Sequence, residues 1–238
     1  MRKCIIIAIV LLYSYATANA QNNDPEIPLT GDVINDFVPK GWKKRELANG
    51  DLNKDGFDDM VLIIQNTSPL NIKINKGLGQ DTLDLNPRIL IILFGAMDAS
   101  YKRVLLNKQF IPAPNDEESP CLADPLDEGG LEVKKGVLKI YFQFWQSCGS
   151  WSVANRSYSF RFQHNQFELI GYDNKEYHRS GGEAVETSIN FSTKKKCVIT
   201  GINMFDEKES KPKSTCTDFP VEKLKTLETL GNESSISF

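Results

Sequence analysis

A possible oxygen ligand, from a side chain or a backbone carbonyl, recurs at every second position in one short stretch of this chain, residues 51–59. The possible oxygen ligands are Asp51, Asn53, Asp55, Phe57 through its backbone carbonyl, and Asp59. Carboxylate, amide and carbonyl oxygens are the ligands that Ca²⁺ takes in proteins, and Gly56 permits the sharp bend that such a loop needs. The spacing therefore predicts one structural Ca²⁺ ion. The alternative is a turn without metal, since Asp, Asn and Gly are ordinary turn residues.

The calcium motif reads Asp-x-Asn-x-Asp-Gly-x-x-Asp and runs directly into the apolar segment 60–64. An EF-hand would instead place a Glu at position 62, which is Leu62 here, and would continue as a helix. The stretch resembles an FG-GAP repeat, the calcium-loop blade unit of integrin alpha-subunit propellers, over residues 46–65. The resemblance implies four side-chain ligands and one carbonyl ligand, namely Asp51, Asn53, Asp55, Asp59 and the carbonyl of Phe57.

The wider chain is similar to uncharacterised exported bacterial β-proteins. This similarity rests on the single calcium loop and on three further segments, Tyr158–Phe162, Phe167–Asp173 and Glu186–Phe191. It implies no activity.

The N-terminus has the pattern of a secretory signal peptide over residues 1–20. Arg2 and Lys3 precede an apolar run over residues 5–13, and Ala18-Asn19-Ala20 forms a small-residue cleavage site. Cleavage there predicts an exported protein, periplasmic or extracellular, with no transmembrane span left. An uncleaved membrane anchor is the weaker alternative, because the apolar run is far shorter than the roughly 20 residues that a bilayer span needs.

Charge disfavours nucleic acid as a partner. The whole chain has 28 basic and 31 acidic residues, and loss of Arg2 and Lys3 with the signal leaves a formal charge of −5. The basic run 194–196 is short, whereas a nucleic-acid-binding face usually carries a broad basic patch.

Four cysteines would remain after signal cleavage, an even number that suits two disulfides in an export pathway. We predict Cys197 with Cys216, because a short loop rich in Lys, Glu and Pro separates them, and then Cys121 with Cys148. The alternative is that one or more of the four are buried free thiols.

The chain reads as mostly β, with antiparallel sheets. Short runs rich in Val, Ile, Phe and Tyr alternate with turn residues from position 60 onward, and alternation is clearest in 158–162. Residues 89–94 are apolar at every position, which favours a strand buried on both faces. With the propeller resemblance, we expect a partial or degenerate β-propeller-like fold; a β-sandwich is the alternative.

The expected domain organisation follows from these patterns. It comprises a signal peptide (1–20), an N-terminal segment (21–40), a β domain with the calcium loop (41–219), and a short amphipathic helix with a polar tail (220–238). The helix is expected because Val221, Leu224, Leu227 and Leu230 fall at helical spacing. Residues 112–130 are expected to form a long, exposed acidic loop.

Catalysis has little support in the sequence. His164 and His178 are the only histidines, and neither shows a nucleophile partnership. The aromatic residues Tyr141, Phe142, Phe144, Trp145 and Trp151 are expected mainly in the core, with Trp151 the most exposed because Gly and Ser flank it. We therefore expect a non-catalytic recognition or inhibitory module of the cell envelope, with a protein or an envelope glycan as its partner. The alternative is a carbohydrate-active enzyme or its glycan-binding accessory domain.

Overall fold

A computed structural model describes residues 25–206, 208, 210–233, 236 and 238. The expected signal peptide lies outside these residues. Two short 3-10 helices span Ile34–Phe37 and Pro69–Asn71. The described residues also form fourteen strands: β1 (Thr30–Gly31), β2 (Trp42–Gly50), β3 (Asp59–Asn66), β4 (Ile72–Ile74), β5 (Thr82–Asp84), β6 (Arg88–Gly95), β7 (Tyr101–Asn107), β8 (Gly130–Lys134), β9 (Val137–Phe144), β10 (Ser152–Gln163), β11 (Gln166–His178), β12 (Glu183–Asn190), β13 (Lys195–Asn203) and β14 (Lys213–Asp218).

The strands form two main antiparallel sheets. The small sheet has five strands in the order β1-β7-β6-β3-β2, and the large sheet has seven in the order β14-β13-β12-β11-β10-β9-β8. The strands β4 and β5 pair separately as a hairpin. The expectation of a mostly β protein with antiparallel sheets is therefore confirmed.

One hydrophobic core lies between the two sheets. The small sheet contributes Val61, Ile63, Leu90, Ile92 and Leu105, and the large sheet contributes Leu138, Ile140, Phe142, Tyr158, Phe160, Phe167, Leu169 and Ile189. These positions alternate along their strands, because successive side chains of a strand point to opposite faces. A core shared by two facing sheets is the layering of a β-sandwich, the alternative architecture named above.

The other face of the small sheet is buried as well. Alternate residues of β3 and β6 form a second cluster there, covered by Ile27 and Phe37 of the N-terminal segment. The strand β1 in that segment pairs with β7, so residues 25–40 pack as part of the β domain. Residues 89–93 are buried as predicted, because a layer covers each side of the small sheet, whereas Phe94 is half-buried.

The crossover segment 108–129 joins the two sheets and includes most of the expected acidic loop. Its acidic stretch 116–118 is exposed, as expected, but Asn115 and Leu126 are buried. The fully buried Arg88 donates from Nη1 to Asp124 Oδ1 at 2.7 Å, and its Nη2 also bonds Asp124. Its Nε donates to Gln65 Oε1 at 3.1 Å. The prediction of a long exposed acidic loop is therefore correct for residues 116–118 and for Asp127 and Glu128, but the ion pair with Arg88 holds Asp124 against the small sheet.

The predicted C-terminal amphipathic helix is wrong. Residues 221–230 form turns and one isolated bridge between Thr226 and Glu168. The backbone of this segment pairs with β11 instead, because Leu169 N donates to Lys225 O and Leu227 N donates to Phe167 O. The four apolar residues whose spacing predicted the helix still pack against the core. Their spacing therefore predicted which residues are buried but not the secondary structure.

The C-terminal residues that the structure describes also differ from a loose polar tail. Glu233 is buried, and its Oε1 accepts hydrogen bonds from Arg156 Nη1 at 3.0 Å and from Tyr158 OH at 2.6 Å. Burial, followed by the charge of Glu233, raises the pKa of Tyr158, so its hydroxyl remains a donor. The ring of Phe238 lies 4.6 Å from the ring of Tyr172. These contacts add a polar anchor and an aromatic contact at one end of the core.

The Arg88 contacts predict a large stability effect. Replacing Arg88 with Met leaves Asp124 without its buried cation, which typically costs about 3–5 kcal/mol. We expect urea denaturation to show a loss of that size. The matched control is Lys73→Met, which breaks an exposed ion pair with Glu117 and should cost less than about 1 kcal/mol.

A double variant, Arg88→Met with Asp124→Leu, should recover part of the lost stability, because it removes the unpaired acid along with the cation. Equal losses in the free energy of unfolding for Arg88→Met and the Lys73 control would show that the Arg88–Asp124 pair does not stabilise the packing of the crossover segment.

Candidate functional site

The predicted calcium loop is the connection between β2 and β3. Gly50 and Asp59 are the last paired residues of the two strands, so residues 51–58 form the loop itself. The backbone reverses through two left-handed positions, Lys54 with φ of 66° and Gly56 with φ of 91°. Gly56 is the residue expected to permit the bend, and this conformation costs glycine little.

Three of the predicted ligand side chains bind the loop's own backbone. Asp51 accepts hydrogen bonds from Lys54 N at 2.6 Å and from Gly56 N at 3.1 Å. Asn53 Oδ1 accepts from Asp55 N at 2.9 Å, and Asp55 Oδ1 accepts from the next-but-one amide, Phe57 N, at 2.9 Å. These bonds fix the turn and keep the oxygen-bearing side chains of positions 51, 53 and 55 against the loop.

Asp59, the last predicted ligand, is completely buried at the base of the loop. Its Oδ2 accepts from Leu52 N at 2.8 Å and from Asn53 N at 3.3 Å. Its Oδ1 accepts from Gly95 N, at the end of β6, at 3.1 Å. Burial raises the pKa of Asp59, while these backbone hydrogen bonds oppose the rise. One carboxylate therefore ties the start of the loop to a neighbouring strand.

Two packing features accompany the contact of Asp59 with the loop and with Gly95. A side chain at Gly95 would place its Cβ 2.3 Å from the carbonyl oxygen of Asp58, so only glycine permits the close approach. Leu52 is buried in the core shared by the two sheets, and full burial of a leucine contributes about 1.5–3 kcal/mol. The loop is thus anchored at its first turn as well as at its end.

The donor set suits a hard cation, because carboxylate, amide and carbonyl oxygens make up all five predicted ligands. Asp55 is exposed, Asp51, Asn53 and Phe57 are half-buried, and Asp59 is buried. Within the described part of the chain, no three His, Cys, Asp or Glu side chains are grouped as a ready metal site. Binding would therefore require the carboxylates of Asp51 and Asp55 to turn from their backbone partners toward the ion.

Both predicted disulfides are present in the structure. Cys121 bonds Cys148 with Cα atoms 5.4 Å apart, and Cys197 bonds Cys216 with Cα atoms 4.0 Å apart. The first links the crossover to the loop between β9 and β10, and the second links the neighbouring strands β13 and β14. Cys148 is consequently not a free nucleophile.

The aromatic candidates divide between core and surface. Phe142 is buried in the core, whereas 62% of Trp151 is exposed. The guanidinium of Arg179 lies 4.9 Å from the Trp145 ring centre and 5.4 Å from that of Trp151. Arg179 Nη2 also donates to the carbonyls of Gln146 and Ser150, so it fixes the loop that carries both indoles.

The two histidines have ordinary surface partners. His164 Nδ1 lies 3.1 Å from Glu168 Oε1, and His178 Nδ1 lies 3.0 Å from Ser180 Oγ. His164 lies in the two-residue turn between β10 and β11.

No protein-family model, curated protein or solved structure matches this chain. In the part of the chain that the structure describes, no helix has the length and apolar character needed to cross a bilayer.

The role of Asp59 in binding backbone amides predicts a stability effect that does not need a metal ion. Asp59→Asn replaces an oxygen acceptor with an NH₂ group that faces amide donors, and an unsatisfied buried group costs about 1–3 kcal/mol. We expect chemical denaturation in the presence of chelator to show this loss.

Asp58→Asn is the control, since Asp58 is exposed and accepts one hydrogen bond from Asn49; its change should stay within about 0.5 kcal/mol. If Asp59→Asn matches the control in chelator, the amide contacts of Asp59 do not stabilise the fold.

Proposed function

We propose that this protein is an exported, non-catalytic β domain that binds one structural Ca²⁺ ion at residues 51–59 and acts as a recognition module of the cell envelope. The observation that supports the ion most directly is the loop itself. Its alternate side chains are oxygen donors, and Asp51, Asn53 and Asp55 already fold back onto the loop backbone. Binding would exchange some of these backbone hydrogen bonds for bonds from the same oxygens to one cation.

The residues that would hold the ion are the side chains of Asp51, Asn53, Asp55 and Asp59 and the carbonyl of Phe57. Bound Ca²⁺ would supply positive charge that offsets repulsion among the carboxylates. It would also favour the ionised form of Asp59, which burial disfavours. Because Asp59 also bonds Gly95, the ion would stiffen the junction between β3 and β6.

Export is supported by the expected signal peptide and by the two disulfides, which persist in oxidising compartments. The proposal places the protein in the periplasm or outside the cell. The excess of acidic residues favours a protein or an envelope glycan over nucleic acid as the partner. The proposed role of the FG-GAP-like loop is structural: with its ion bound, it would stiffen the junction between β3 and β6 in this recognition domain.

A second candidate function is a carbohydrate-active enzyme or its glycan-binding accessory domain. The observation that favours it is the exposed Trp151, whose ring centre lies 6.4 Å from that of His178. His178, Glu176 and Glu183 line a shallow depression on the adjoining surface. A glycosidase would use two of its carboxylates as acid and base or nucleophile, so loss of hydrolysis on removing Glu176 or Glu183 would favour the enzyme.

The calcium proposal predicts a stability increase by mass action. An ion that binds only the folded loop stabilises it by about 2.7 kcal/mol at a hundredfold excess over Kd. For a domain of this size, we expect the melting temperature to rise by about 5–10 °C in calcium relative to chelator. Differential scanning calorimetry of the mature protein measures this shift.

Asp55→Ala should abolish the calcium-dependent shift, because it removes an exposed ligand that has little role in packing. Asp58→Ala is the matched control in the same loop and should keep the shift. A wild-type protein whose melting temperature is the same in calcium and in chelator would overturn the calcium proposal.

A further inference from the structure

The outer face of the large sheet, opposite the core, carries a continuous cross-strand row of side chains. Neighbouring residues in this row are direct partners in the strand register, and the row runs Tyr141 (β9), Ser157 (β10), Asp173 (β11), Ser188 (β12) and Cys197 (β13). Residues directly opposite each other in an antiparallel pair share a face. The next residues along β9 and β10, Phe142 and Tyr158, belong to the core, so this row stands on the outer face.

Short side chains at the centre of the row leave a trough. The serines of β10 and β12 lie between the larger Tyr141 on one side and the Cys197–Cys216 disulfide on the other. The resulting cavity has a volume of about 360 Å³. Small-molecule sites typically span about 300–1,000 Å³, so the trough has room for a small ligand.

The carboxylate of Asp173 lies at the middle of this trough and is held in place. Ser188 Oγ donates to its Oδ1 at 2.7 Å, and Ser157 Oγ donates to its Oδ2 at 3.2 Å. Lys139 Nζ lies 3.5 Å from the same Oδ2. Ser157 is buried, but 49% of the Asp173 side chain is exposed. The acceptor is therefore both oriented in advance and open to a ligand.

The sides of the trough present donors and acceptors in matched pairs. Lys175 Nζ lies 2.9 Å from Glu186 Oε1, and Asn155 Oδ1 accepts a hydrogen bond from Gln143 Nε2 at 3.0 Å. Tyr141 OH donates to Glu132 Oε2 at 2.7 Å. Burial and then Glu132 raise the pKa of Tyr141 to about 12, so the phenol keeps its proton at neutral pH.

This arrangement differs from an ordinary solvated sheet face. The outer face of an antiparallel sheet is commonly polar because water covers it. Here, however, the polar side chains form hydrogen bonds and ion pairs with one another around the buried Ser157, and they line the cavity. Such interlocking reduces the entropy that the groups lose when a ligand binds.

The pairing of charges points to the class of ligand. A simple ion would meet carboxylates and ammonium groups together, and a wholly apolar ligand would remove water from the charged groups of Asp173 and Lys175, which is costly. A ring with many hydroxyl groups can donate to the carboxylates of Asp173 and Glu186 and can accept from the ammonium group of Lys175. Its C–H face can pack on the apolar surfaces of Tyr141 and Ile199, which line the same trough.

We propose that the trough binds a neutral oligosaccharide, with Asp173 as the central hydrogen-bond acceptor. This inference rests on the recognition function proposed above and names its ligand class. It is independent of the calcium ion, because every residue of the trough belongs to the large sheet or its disulfide, apart from Glu128 of the crossover.

Isothermal titration calorimetry of the full mature protein tests the inference. The probes are the neutral saccharides cellotriose, maltotriose, galactotriose, laminaritriose and N,N′,N″-triacetylchitotriose, each titrated to millimolar concentration. We expect at least one to bind. Asp173→Asn should weaken that binding about tenfold or more, since a hydrogen bond to a charged acceptor is worth about 1.5–3 kcal/mol. Ser188→Leu should abolish it by filling the trough.

Asp98→Asn is the matched control. Asp98 is an exposed carboxylate that also accepts a hydrogen bond from a serine hydroxyl, Ser100 Oγ at 2.6 Å, but in the turn between β6 and β7. Asp98→Asn should leave the affinity unchanged. Thermal unfolding of Asp173→Asn and Ser188→Leu checks that both are folded.

Binding that persists in both trough variants would overturn the inference and direct attention to the exposed Trp151. Absence of binding to all five saccharides would overturn it as well. The inference would also be wrong if no saccharide bound, while a peptide bound to the wild-type protein and lost its affinity in the same two variants. A failed calcium test with intact saccharide binding would reject the ion alone.

Discussion

A buried ion pair at the crossover between the sheets holds the two halves of this protein together. Arg88 belongs to the small sheet, and its partner Asp124 belongs to the segment that leads into the large sheet. A few residues earlier, the same segment is bonded to the loop between β9 and β10 by the Cys121–Cys148 disulfide and by Ala123 N, which donates to Trp145 O. The crossover is therefore fixed to both layers, and the shared core lies between these attachments.

The two proposed sites use this rigid frame in different ways. The loop at 51–59 lies at one end of the small sheet. Its buried Asp59 accepts a hydrogen bond from Gly95 N and so connects the loop to β6. The trough lies on the outer face of the large sheet, where no core packing constrains the side chains. Their orientation comes from hydrogen bonds around Asp173 instead. Rigidity arises from burial at one site and from mutual hydrogen bonding at the other.

Much of the fold could be predicted from the sequence because its strands are strongly patterned. The apolar segments 60–64 and 89–94 lie within two residues of the bounds of β3 and β6, and these two strands pair with each other in the small sheet. Both predicted disulfides are also present. By contrast, β2 is rich in charged residues and β14 is fully exposed, so neither has an apolar pattern, and only pairing with a neighbour makes each a strand.

The functional features were less predictable, for a physical reason. The alternation of oxygens in 51–59 could be read directly, but the contact between Asp59 and Gly95 joins residues 36 apart. The trough depends on the register of five strands, which no local pattern specifies. The apolar spacing in 221–230 indicated a helix that does not form. Burial of every third residue is also compatible with a turn segment packed on a sheet, so the spacing does not distinguish the two structures.

The outermost strand of the large sheet has one further consequence. Every residue of β14 is exposed, so the strand adds nothing to the core and serves only to cover the edge of β13. Open sheet edges invite pairing with a strand of another molecule. Because Cys216 is bonded to Cys197, β14 cannot peel away and be replaced by an identical strand from a neighbour. In an oxidising compartment, self-association by strand exchange at this edge is closed off, and a reducing one would reopen it.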